Sequence, residues 1–275
     1  MLKPILIAFT LLLLIPNFIH RDINDQLAYD GKEKFEPGLV ALNSLDQLEQ
    51  YIDKAAAELH FSVQSPAYPL LVENIIARRF YHGFSHPSLS ENFIAALAEK
   101  TIGYGLGCKV NTNEIMKHEN AACSQQSMVM MEIFRRKQIT YRSVGFQHHY
   151  AMEAQVAGNW YYLDANMEPN MTLEERKEIN WMGQADQLKK YYDASRFKNL
   201  DYQFGNGLIA VNGSINEVPA KNARFFQDFT AILSKIAWCI PLLILAYRSR
   251  TAKTPNKRLA KNHLYPVGTG SMYAV

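Results

Sequence analysis

Apolar and polar positions divide the chain into two uniformly apolar ends and a patterned middle. Pro4 to Ile19 (PILIAFTLLLLIPNFI) carries no charge and follows Met1-Leu2-Lys3. The run is slightly short of the roughly 20 residues of a spanning helix, and it shares its pattern with the core of a signal peptide. No A-x-A-like cleavage site precedes His20-Arg21-Asp22, which favours an uncleaved anchor over residues 1–20. Phe229 to Tyr247 (FTAILSKIAWCIPLLILAY) is the second run, with Lys235 placed near one end to snorkel to an interface. Its other reading is a buried amphipathic helix. Between them, residues 43–61 keep Leu45, Leu48, Tyr51 and Ile52 at helical spacing, with Asn43 or Ser44 as cap. Residues 70–82 and 88–102 predict two more helices, the latter capped by Ser88 or Ser90 and followed by Gly103, Gly105 and Gly107. Ala122 to Arg136 is apolar on most faces, as a central helix is. Residues 139–146, 149–156 and 160–164 then predict three strands, the last two joined by Ala157-Gly158-Asn159, a hairpin signal. Helices followed by an antiparallel meander predict an α+β fold.

Composition narrows the class. Charged residues at 20% and aromatics at 12% exclude a disordered chain. Three Cys exclude both a disulfide-dense mini-domain and a four-Cys zinc cluster. The net charge of +3 is unevenly spread. From Arg248 to Val275 there are six Lys/Arg and no Asp or Glu; removing those six, Lys235 and Lys3 leaves residues 4–228 at −5. An acidic body with a basic tail is not a nucleic-acid-binding profile. If both apolar runs cross a membrane, the positive-inside rule puts Lys3 and the tail in the cytoplasm and the body outside, periplasmic in a Gram-negative cell. The expected organisation is an anchor or signal peptide over 1–20, an extracytoplasmic domain over 21–228, a transmembrane helix over 229–247 and a basic cytoplasmic tail over 248–275.

The candidate chemistry lies in the meander. Cys123 stands at the start of the apolar helix, where unpaired amides and the helix dipole favour negative charge, and the thiolate is the nucleophilic form of cysteine. A base and a group to orient it are needed next. Alternate strand residues share a face, so His149, Ala151 and Glu153 lie together on one strand and Trp160, Tyr162 and Asp164 on the next. A turn near Gly158 returns Asp164 to within about two residues of His149, inside cross-strand reach. A carboxylate on one imidazole nitrogen fixes the tautomer and leaves the other nitrogen for the thiol proton.

Residues 121–166 resemble the core of the transglutaminase-like superfamily of papain-type cysteine enzymes. The similar positions are Cys123 at a helix start, Ile139-Thr140-Tyr141-Arg142, His149-x-x-x-Glu153, the Gly158 turn and Trp160-x-x-x-Asp164. The stretch Arg79 to His86 is similar to the upstream region of bacterial membrane-anchored transglutaminase-domain proteins. Two positions depart from the pattern: Ala121 stands where Gly is usual, and Ala165 follows Asp164 where Pro is usual. The resemblance implies a papain-like core over 120–166, with Cys123 as nucleophile, His149 (not His148, which lacks Glu four residues on) as base and Asp164 as orienter. Gln125, Gln126, His82, His86 and Trp160 are candidates to donate to an oxyanion or to line substrate. Glu153 and Arg142 are expected to pair structurally.

The implied activity is acyl transfer through a Cys thioester, as a peptidase, an amidase or a transglutaminase-type transferase, on a protein or peptide of the cell envelope and without a cofactor. The alternative is a non-catalytic binding or assembly factor of a cell-envelope or polysaccharide system on the same scaffold. His82 and His86 have a metal-ligand spacing if helical, but Gly83 and Pro87 oppose a helix and no third ligand is apparent, so no metal is expected. Cys108 is a possible disulfide partner for Cys123 outside the cytoplasm.

Overall fold

The computed structural model describes residues 2–24, 28–103, 105–182, 185–197, 199–205 and 210–252. Lys253, Lys257, Arg258 and Lys261 of the basic tail lie outside them. Helix α1 (Leu2–Leu14) runs into a 3-10 turn, Ile15–Phe18. Pro16 accounts for the change, because its ring clashes with the carbonyl four residues back and it has no N–H to give.

Helices α2 (Leu45–Glu58), α3 (Ala67–Arg79) and α4 (Leu89–Ile102) follow. In α2 the buried positions Leu45, Leu48, Ile52 and Ala56 form one stripe, and Ser44, not Asn43, caps by accepting from the Gln47 amide at 3.3 Å. Ser88 caps α4 in a reciprocal box with Glu91, and Gly103 ends it at φ +77°, a backbone that suits glycine. After a one-turn α5 (Thr112–Ile115) comes α6 (Cys123–Arg136), whose Met128, Val129, Met130, Met131, Ile133 and Phe134 are all buried.

Helix α6 packs on β1 (Thr140–Gly145) and β2 (Tyr150–Val156). With β3 (Asn159–Leu163) and β4 (Val211–Asn212) these form a four-stranded antiparallel sheet in the order β3-β2-β1-β4. The α+β expectation holds in this sense. Ala157 (φ +49°) and Gly158 (φ +80°) make the two-residue turn between β2 and β3, the primed turn that matches strand twist. It sets Val156 opposite Asn159 and Met152 opposite Leu163, which carries Asp164 beyond the last pair toward the start of β2. One core joins α2, α3 and α6 to the sheet through Met152, Ala154 and Val156. A second gathers Val144, Ala151 and Tyr162 with Trp181, Leu188, Tyr192 and Phe204, from α7 (Glu178–Trp181), α8 (Ala185–Lys189), α9 (Leu200–Phe204) and the loops between.

The C-terminal run departs from the single helix expected over 229–247. Helix α10 (Lys221–Ile236) begins eight residues earlier, and α11 (Cys239–Ala252) is bent from it by 49°. Pro241 is the physical reason: its ring opposes the Ala237 carbonyl, at the break. Helix α10 packs on α4, where Asn92 leaves helical geometry (φ −158°) and donates to Thr230 Oγ1 at 2.9 Å while accepting from Ser234 Oγ at 3.1 Å. Lys235 donates to the Ser90 carbonyl of α4 and does not reach away from the domain. Among the described residues no single helix is long and apolar enough to cross a membrane, though the bent pair α10–α11 has the length and composition together. Helix α1 packs against α11, and Asn17, just past α1, donates to the Ser234 carbonyl at 3.3 Å, which makes α1 and α11 antiparallel. Phe9, Leu12, Leu243 and Tyr247 remain exposed on this pair.

Candidate active site

Cys123 opens α6 and is half-buried. Ala122 holds the N-cap position without a capping side chain; Gln125 fills the gap by accepting from the Ala122 amide at 3.1 Å. His149 immediately precedes β2, and its Nε2 meets Asp164 Oδ2 at 2.7 Å. The Cys123 side chain lies close enough to the ring to act on its charge. The structure thus brings Cys123, His149 and Asp164 together in the order sulfur, imidazole, carboxylate. Phe146 stacks on the imidazole at 6.1 Å and Phe204 meets it edge-on at 5.4 Å, which fixes the ring plane.

The Asp164 carboxylate is buried and held from several directions. Its Oδ2 also accepts from the Tyr192 hydroxyl at 2.8 Å and its Oδ1 accepts from the Met167 amide at 3.1 Å. Burial favours its neutral acid, but the His149 charge and these donors outweigh it and hold the group below the usual carboxylate range. For His149, burial favours the neutral ring; the Asp164 carboxylate, its hydrogen bond and Cys123 prevail and push the imidazole up to about 10. The site therefore holds an imidazolium at neutral pH, the partner a thiolate needs.

A further layer was not foreseen from the sequence. Glu73 of α3 is buried and accepts from the Asp164 backbone amide at 2.6 Å. Arg176 pairs with Glu73 at 2.9 Å and donates to the carbonyls of Tyr162, Pro169 and Met171. The signal for Glu73 was present: it is the lone charge inside the apolar run Pro69 to Ile76. Nothing comparable marks Tyr192 or Arg176.

The remaining candidates separate. Gln125 does not present its amide to a ligand: its Nε2 donates to the Ser85 and Lys109 carbonyls, and its Oε1 also accepts from the Ser85 amide. Gln126 donates to the Ala121 carbonyl at 2.9 Å, again holding the helix start. Trp160 lies at the far end of β3, beneath the Arg142 guanidinium at 4.3 Å. Arg142 pairs with Glu153 at 2.7 Å, as expected for structural residues, and burial outweighs that pairing to push Glu153 up to about 7. His82 comes closest to the centre. Its Nδ1 accepts from Asn166 at 2.8 Å, so Nε2 carries the proton, and burial followed by the charge of His149 pushes it down, leaving a neutral donor. His86 lies elsewhere, against Cys108. The cysteines are all free, so the Cys108–Cys123 disulfide is not formed.

A cavity of about 280 Å³ adjoins the start of α6, walled by Ser124, Met128, Tyr150, Phe84, Val110 and Ala223. Its mainly apolar lining suits the non-reacting part of an acyl substrate. No family model matches the chain, and no curated protein or solved structure matches it.

Proposed function

We propose that the protein is a cysteine-dependent acyl-transfer enzyme of the transglutaminase-like, papain-type class, anchored to the cytoplasmic membrane with its catalytic domain on the extracytoplasmic side. The observation that carries this reading is the grouping of Cys123, His149 and Asp164, with a buried carboxylate bonded to the imidazole that Cys123 adjoins. In it, the Cys123 thiolate attacks an amide or ester carbonyl of a protein or peptide. Backbone amides at the α6 N-terminus, with His82 Nε2–H, donate to the oxyanion. His149 gives its proton to the leaving amine or alcohol, and a thioester remains. Water or a second amine, deprotonated by His149, then releases the acyl group. The chemistry needs no cofactor.

The anchor rests on the exposed apolar surface of α1 and α11. Their antiparallel packing puts Lys3, Arg248 and Arg250 at one end, the arrangement the positive-inside rule asks for when both ends of the chain are cytoplasmic. By length and composition the C-terminal membrane element in this reading is the bent pair α10–α11 and not α11 alone.

The test is turnover of a panel of peptide amides and activated esters, with hydroxylamine to trap the acyl-enzyme as a hydroxamate. Wild type is expected to turn over and to yield hydroxamate; Cys123→Ala is expected to do neither. Equal turnover by the variant would remove the nucleophile from the account. If a deletion strain is fully complemented by Cys123→Ala, the protein acts instead as a non-catalytic assembly factor of the envelope.

A further inference from the structure

A second sulfur–imidazole–carboxylate cluster lies outside the site described above. Cys108 Sγ is 3.4 Å from His86 Nε2. One carboxylate oxygen of Glu99, on α4, joins them so that all three ligand atoms lie within 4.8 Å of one another. Cys108 and His86 are buried and Glu99 is half-buried. Glu99 is oriented by the Gly107 amide, which donates to its Oε2 at 2.9 Å. On the far side of the imidazole, Asp22 Oδ2 lies 3.7 Å from His86 Nδ1. A cavity of about 380 Å³, lined in part by Asn24, Phe84 and Gly105, opens onto the three side chains.

We propose that His86, Glu99 and Cys108 bind one zinc ion. The spacing fits. Tetrahedral zinc, with bonds of about 2.0 Å to nitrogen and 2.3 Å to sulfur, sets those two donors about 3.5 Å apart. The donors fit as well: thiolate and imidazole select a borderline-soft cation over magnesium or calcium, and one carboxylate completes a three-residue set whose fourth position is left to water from the cavity. Asp22 lies behind His86 at 3.7 Å, longer than a hydrogen bond but on the side of the ring where a carboxylate supports a ligating histidine.

Electrostatics separates this cluster from a second nucleophile. Burial, with Glu99 and Asp22 adding to it, pushes the Cys108 thiol up to about 12, which suppresses a free thiolate. The same negative charges attract a dication, and its arrival expels the thiol proton to solvent as the S–metal bond forms. The bound ion would tie two segments to α4. Ser85 and Lys109, next in sequence to His86 and Cys108, are the residues to which Gln125 of α6 is bonded. Zinc here braces the loops that support the start of the Cys123 helix, and it does so whether or not Cys123 is a nucleophile.

The experiment uses the full chain, purified in detergent, stripped with chelator and titrated with Co²⁺. One equivalent is expected to produce visible d–d bands of a tetrahedral ion and a near-ultraviolet thiolate-to-cobalt charge-transfer band, both abolished by Zn²⁺. The charge-transfer band should vanish in Cys108→Ser and persist in Cys123→Ser and Cys239→Ser. Glu99→Gln, which conserves shape if Cys108→Ser fails to fold, should weaken Co²⁺ binding about tenfold or more. Absence of a thiolate band in wild type, its survival in Cys108→Ser, its loss in Cys123→Ser, or unchanged affinity in Glu99→Gln would each overturn the proposal.

Discussion

Two clusters in this protein use the same three kinds of side chain to opposite ends. Around Cys123 the acid is bonded to the imidazole, with Asp164 on Nε2, and the sulfur acts on the ring from nearby. Around Cys108 a carboxylate stands beside the sulfur itself, because Glu99 approaches both Sγ and His86 Nε2. The first arrangement raises the imidazole and supplies a positive partner for a thiolate. The second opposes the thiolate and leaves a negatively biased pocket for a cation. Cysteine, histidine and an acid in proximity therefore do not define a catalytic site. The position of the acid along the line, and the surroundings of the sulfur, decide whether the group is nucleophile or ligand. The starting points differ in the same way: Cys123 begins a fourteen-residue helix, whereas Cys108 lies in a loop between α4 and α5.

The largest effect that would sharpen the contrast comes from Asp164→Asn. The amide cannot hold an imidazolium, so the acylation rate should fall by about 10²–10⁴-fold while the fold is kept. Single-turnover kinetics on an activated ester measures it. A loss no greater than that of Glu99→Gln would erase the distinction between the clusters. The next effect is on stability. Arg176→Leu leaves Glu73 buried behind Asp164 without its ion-pair partner, at a cost of about 3–5 kcal/mol in urea unfolding. Removing Arg78 from its exposed pair with Glu36 should cost about 0–1 kcal/mol. Equal costs would mean that Glu73 is not held as the geometry implies.

A smaller effect is set by pH. His149 is raised from its ordinary 6.5 to about 10, so its stabilising contribution is complete below 6.5 and is lost as pH rises through 10. Asp164 is lowered, so its contribution is complete above 3.8 and is lost as pH falls below that value. The gap in Tm between wild type and His149→Gln should be widest between these limits, from 3.8 to 6.5, and should close toward pH 10. A gap that widens with rising pH would reverse the assigned charge on His149.

How far the sequence reached follows from the kind of information each feature needs. The hairpin was legible because Ala157-Gly158 fixes the turn and alternation fixes the faces, so the approach of Asp164 to His149 follows from counting residues. The placement of Cys123 was legible because an apolar period of α6 starts there. The Glu73–Arg176 pair was not, since it joins residues 103 apart, and no local period reports which loops meet. Gln125 and Gln126 are candidates for the oxyanion or substrate by sequence, but Gln125 accepts from the Ala122 amide at an N-cap without a polar side chain, and Gln126 donates to the Ala121 carbonyl. Trp160 shares a face with Asp164 yet sits four residues away, about 13 Å along a strand, where Arg142 covers it. Hydropathy reads the C-terminal run as one helix because it averages over the break that Pro241 imposes.

The central claim is that Cys123 is activated by His149 and that Cys108, with similar neighbours, is not. Rates of iodoacetamide alkylation at each cysteine, followed site by site by mass spectrometry in wild type and in His149→Gln, test it most directly. Cys123 should react far faster than Cys108 in the wild type, and His149→Gln should slow Cys123 alone. Equal rates at the two cysteines, or a Cys123 rate unchanged by the loss of His149, would contradict it.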